Sequence, residues 1–110
     1  MAGLQARGDP FDALGDPHRR EIVELLSRRG RTVRELADAL PISRPAVSRH
    51  LRLLKNAGLV IDHPQGTRRI YELQAKGIDA VQRYLMTVWG DAAARFTLAA
   101  TNLPRSKRRR

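Results

Sequence analysis

The chain contains no cysteine. Disulfides, thiolate metal sites, thiol nucleophiles and thiol redox sensing are therefore excluded. Long apolar runs are also missing. Leu59-Val60-Ile61 and a few Ala-rich triplets are the longest, too short for a membrane span or the core of a secretion signal. Histidine is scarce: His18, His50 and His63 lie in separate segments with no HxxxH or HExxH spacing, so a metal centre would need chance convergence. GxGxxG, GxxxxGKS/T and GxSxG are all absent, which removes the phosphate-loop routes to nucleotides and the nucleophile elbow. Enzyme chemistry has little to start from. No catalytic residue, metal or cofactor is expected, and the chain is expected in the cytoplasm beside the nucleoid.

Acidic residues are in short supply too. Eleven Asp and Glu face 21 Lys and Arg, for a net charge of +10. Such an excess implies a polyanionic partner and is silent about fold. Arginine dominates the cations, and its planar fork suits phosphate and guanine better than an ammonium does. What remains is 110 residues, 42% of them apolar. That is one domain with a modest core. Residues 1–8 read as a flexible tail, 9–98 as the domain and 99–110 as a basic tail. The tail is either a DNA anchor or unused.

Helix signals recur along the first half. Asp9-Pro10 and Asp16-Pro17 are paired cap-and-first-turn starts. The first opens a short helix bearing Phe11 and Leu14. The second opens a helix to about Arg29 with a stripe of Ile22, Val23, Leu25 and Leu26, closed by Gly30. Thr32 and Glu35 form a capping box ahead of Val33, Leu36, Ala37 and Leu40. Ser43 caps the next helix, with Pro45 in its first turn and Gly58 as its stop. The period then changes. Leu59–Asp62 and Ile70–Leu73 read as two short strands around a turn spanning Pro64 to Arg69. From about Ala75 a long helix carries Ile78, Val81, Leu85, Val88, Trp89, Ala92 and Phe96 on one side, with Gly77 and Gly90 weakening it slightly.

Thr32 to Leu59 is the informative stretch. Two capped helices around a tight turn form a helix-turn-helix. At about 100° per residue, Val47, Leu51, Leu54 and Gly58 line one side of the second helix. Pro45, Ser48, Arg49, Arg52 and Asn56 take the opposite side, with Arg44 and Lys55 on the flank. That outer side has no acidic residue. A helix that merely faces water usually mixes signs. Hydroxyls, guanidinium groups and an amide are instead the donors that reach phosphates and base edges.

The segments Asp12–Leu26, Ile42–Val60 and Gly66–Leu73 together resemble the opening helices, recognition helix and wing of ArsR/SmtB-type winged helix-turn-helix regulators. The likeness spans roughly residues 10–98. It implies a mainly α fold with a small β-hairpin, in which the first and last helices form a dimer interface. By this resemblance Ser43, Arg44, Ala46, Ser48 and Arg49 would face the major groove. His50 is grouped with them, although its angle leaves two alternatives: contact with DNA, or packing with a satisfied ring. Arg52 and Lys55 would bind phosphates, and Arg68 and Arg69 would touch the backbone or minor groove. The family's metal-sensing positions are not matched. The segment Val33–Leu40 has no cysteine pair, and the last helix has Asp79 and Asp91 but no histidine.

The stripe of Val81, Leu85, Val88, Trp89 and Phe96 either completes an intrachain core or, with Phe11 and Leu14, buries against a second copy about a two-fold axis. The expected function is sequence-specific recognition of double-stranded DNA by a homodimeric regulator, acting as a repressor on an inverted repeat. A nonspecific architectural DNA-binding protein and a protein-interaction winged helix are the alternatives. Whether a small molecule is sensed stays open.

Overall fold

The computed structural model describes residues 8–101, which fall into two units divided after Asp79. Of the expected tails 1–8 and 99–110, residues 1–7 and 102–110 lie outside the described residues. Element order is α1 (Pro10–Ala13), α2 (Pro17–Leu26), α3 (Val33–Ala39), α4 (Arg44–Asn56), β1 (Val60–Gln65), β2 (Arg68–Leu73) and α5 (Ala75–Thr101). This is the expected mainly α fold with one antiparallel hairpin. No described helix is long and apolar enough to cross a membrane.

Local chemistry starts each helix in the first unit. The Asp9 and Asp16 carboxylates accept from the backbone N–H groups of Phe11 and of His18 and Arg19. Proline at the next position leaves one fewer amide to satisfy. At α3 the Thr32 hydroxyl accepts from Glu35 N at 3.1 Å, while the Glu35 carboxylate accepts from Thr32 N at 2.9 Å. The carboxyl of Glu35 is held below the usual range, chiefly by this backbone bond. Ser43 accepts from Ala46 N at 3.2 Å and opens α4. Gly58 stops α4 in the left-handed region at φ +79°. Its N–H bonds the Lys55 carbonyl, and Leu59 N–H bonds the Leu54 carbonyl, both at 3.0 Å. That paired closure needs a residue without a Cβ.

These caps aim one core. Ile22 and Leu26 of α2, Leu36 of α3, Val47, Leu51 and Leu54 of α4, and Leu59 and Val60 are buried. Burying each such side chain contributes about 1.5–3 kcal/mol. The helix-to-strand change at Leu59 turns the chain so that β1 packs beside α4.

Several boundaries differ from the sequence expectations. α2 ends at Leu26 and not near Arg29: Ser27 N–H still makes the helical bond to Val23, but Arg28 N–H bonds the Leu25 carbonyl three residues back. The hairpin loop is only Gly66-Thr67: Pro64 and Gln65 belong to β1 and pair with Arg69 and Arg68. Proline is tolerated there because a two-stranded ribbon has only edge strands. Gly8 is tied in, its N–H donating to the Asn56 carbonyl at 3.2 Å. α5 continues to Thr101, so 99–101 are helical. Gly77 is placed for space: a Cβ there would overlap the Gly58 carbonyl. Arg31 forms a one-residue antiparallel bridge with Tyr71, with N–H···O distances of 3.0 and 2.8 Å, which adds a third chain to the hairpin.

In the second unit, α5 carries its apolar residues outward. Leu85, Val88, Trp89 and Phe96 are exposed, Trp89 by 62% and Phe96 by 74%, and Val81 is half-buried. On a helical wheel these residues and Ala92 fall within about 100°.

Candidate nucleic-acid interface

α3, the four residues 40–43 and α4 form the helix-turn-helix, with Leu36, Val47 and Leu51 buried beneath it. The inward stripe of α4 lies as periodicity demands, except that Gly58 is exposed as its terminator. The opposite side is open. Ser43, Arg44, Pro45, Ser48, Arg49, Arg52 and Asn56 are exposed, and Ala46 is half-buried. Arg44, Arg49 and Arg52 make no side-chain hydrogen bond or ion pair among the described residues. The first turn of α4 contains no acidic residue, so none of its own side chains offsets the partial positive charge of the helix start.

The wing stands beside this face. Arg68 is exposed next to the Gly66-Thr67 loop and likewise makes no side-chain bond among the described residues. A cleft of about 610 Å³ runs between the wing and the first turns of α3 and α4. Arg34, Arg44, Arg68 and Arg69 line it, against Glu35 and Asp38, with Thr32 and Tyr71 also in the wall. A second hollow, lined by Ser48, Leu51, Arg52, Lys55 and Tyr71, separates the outer face of α4 from β2.

Three expected contacts sit differently. His50 is turned inward and only 7% exposed, off the open face. Its Nδ1 accepts from Arg19 Nη1 at 3.2 Å, and Arg19 Nε donates to the Ala13 carbonyl at 2.6 Å. Arginine has no lone pair to offer, so the ring proton belongs on Nε2. Of the two alternatives for His50, the structure selects packing with a satisfied ring. Lys55 and Arg69 are engaged within the protein: Lys55 Nζ lies 2.5 Å and Arg69 Nε 2.6 Å from the two oxygens of Asp62. In the sequence Asp62 is only the end of the first expected strand. Its 6% side-chain exposure and double pairing had no local signal. Among the described residues no group of three or more His, Asp or Glu could hold a metal ion.

Residues 16–62 match the model of the bacterial regulatory protein, arsR family. The chain is 51% identical over 89 residues to the HTH-type transcriptional regulator Rv2034 of Mycobacterium tuberculosis, covering 81% of this chain and 83% of that protein. It belongs to the ArsR family. A crystal structure described as a possible transcriptional regulator for arsenical resistance superposes with a TM-score of 0.70 at 35% identity, covering 87% of this chain and 98% of the other. A solution structure from Mycobacterium bovis, the homodimeric winged helix-turn-helix DNA-binding domain of a possible ArsR-family regulator, matches at a TM-score of 0.60 and 28% identity, covering 73% and 74%. The ArsR-family fold thus accounts for the helix-turn-helix, the hairpin beside it and their order in the chain.

Proposed function

We propose that this ArsR-family protein is a DNA-binding transcriptional repressor that holds an inverted-repeat operator as a homodimer. The exposed, acid-free side of α4 carries the reading, because its arginines have no side-chain partner among the described residues. Ser43, Arg44, Ala46, Ser48 and Arg49 enter the major groove. Arg52 and Arg68 meet phosphates, and Lys55 and Arg69 flank them. Repression follows from occlusion of polymerase, in the cytoplasm, and the protein works by binding and not by catalysis. Self-association uses the α5 stripe of Val81, Leu85, Val88, Trp89 and Phe96, with Phe11 and Leu14 as a further contact. Apolar residues this large and this exposed favour a partner surface, and the homodimeric neighbour from Mycobacterium bovis supports a second copy as that partner. A two-fold dimer sets two recognition helices about 34 Å apart, in successive major grooves.

Selection of bound fragments from a random DNA pool at near-physiological salt tests the proposal. An enriched inverted repeat with half-sites about one helical turn apart is expected. Binding without enrichment would replace this reading with a nonspecific architectural role.

A further inference from the structure

The wing has little to hold it. Residues 64–69 are exposed, and a two-stranded hairpin alone is marginal in water. Near its base the Arg31–Tyr71 bridge anchors β2 on the side away from β1. On the side of the recognition helix the link is Asp62. One oxygen accepts from Lys55 in the last turn of α4, and the other from Arg69 on β2. The two cations are each about half exposed, whereas the carboxylate between them is almost fully covered. An isolated exposed pair is worth little. A shielded carboxylate with both oxygens occupied joins three elements through one atom group, and its geometry leaves the hairpin few angles.

The same contact changes the charge on the DNA side. Lys55 lines the hollow against α4 and Arg69 lines the cleft against α3, so Asp62 holds one cation from each. While so held, the pair shares one negative charge, so the two cations together offer a phosphate one unit of charge less.

We propose that Asp62 is a positioning residue for DNA recognition: clamped between Lys55 and Arg69, it fixes the wing's angle to α4 and offsets one unit of the positive charge those two cations offer the phosphate backbone. This rests on the reading of α4 and the wing as the DNA-binding face. The clamp trades nonspecific affinity for register. A carboxylate that acted only as a nearby negative charge would lower affinity for all duplexes equally.

The test compares the full-length wild type with Asp62→Asn and Lys55→Gln on two duplexes, one carrying the selected sequence and one its scrambled version, across a salt series. For Asp62→Asn, affinity for the scrambled duplex should rise and its salt dependence steepen by about 0.9 in the log–log slope, one added phosphate contact. The selected-to-scrambled ratio should fall by about tenfold, the size of one lost base contact. Lys55→Gln, which opens the clamp from the exposed end of α4, should lower the same ratio without the gain on scrambled DNA. Equal changes on both duplexes in either variant, leaving the ratio intact, would overturn the proposal. A wild type that does not discriminate between the duplexes would instead overturn the DNA reading beneath it, before any variant is compared.

Discussion

His50 and His63 show how the same side chain is given opposite electrical surroundings. Burial pushes His50 below the ordinary histidine value, and the Arg19 guanidinium bonded to its ring opposes a second positive charge. Its neutral form therefore completes a chain from the end of α1 through Arg19 to α4. His63 lies on β1 with Nε2 2.9 Å from the Glu72 carboxylate, which raises its affinity for a proton. The signs differ. For His50 the unfolded chain takes up a proton that the folded state resists, so stability falls as pH drops below the ordinary value of about 6.5. For His63 the contribution is full below that value and is lost as pH rises through its higher folded value. An NMR titration of the ring protons should therefore find His50 titrating below, and His63 above, the ordinary value. The reverse order would contradict the placement of both side chains.

At the level of elements, α5 gives the sharpest test of packing. Composition alone makes Gly77 a weak point, and replacing it with alanine would strengthen a free helix by about 1 kcal/mol. The structure reverses the sign. A Cβ at residue 77 would overlap the Gly58 carbonyl, which the two closing hydrogen bonds of α4 hold in place. Gly77→Ala is expected to destabilise by roughly 2–3 kcal/mol in chemical denaturation, as overpacking does. A stabilised variant would refute the close approach. This contrast also marks what the sequence could reveal. Asp9, Asp16, Thr32 and Ser43 announced four helix starts, because a cap and its amides lie within three residues of each other. The inward stripe of α4 was equally legible, since it depends only on helical period. Contacts between distant segments were not. The Arg31–Tyr71 bridge spans forty positions, and nothing in Pro64-Gln65 distinguishes a strand end from a turn. Lys55 and Arg69 read as free cations because their shared carboxylate is found only when the hairpin folds back on α4. His50 looked undecided on the wheel, and Arg19, thirty-one residues away, decides it.

For the whole molecule, the charge of +10 governs attraction to DNA but cannot confer preference for a sequence. Preference has to come from a few side chains held at fixed positions. The caps, the core stripe and the Asp62 clamp all act to hold the open side of α4 beside the wing. Arg49 and Arg68 stand for the two kinds of contact in the proposed function. Arg49 lies exposed mid-face on α4 and is proposed to reach base edges. Arg68 lies exposed beside the wing loop and is proposed to meet the backbone. The most direct measurement is the affinity of Arg49→Ala and Arg68→Ala for the selected and scrambled duplexes by fluorescence anisotropy. Arg49→Ala is expected to lose about 1–3 kcal/mol on the selected duplex and little on the scrambled one, while Arg68→Ala weakens both by a similar factor. Two variants that bind both duplexes like the wild type would contradict the assignment of this face to DNA.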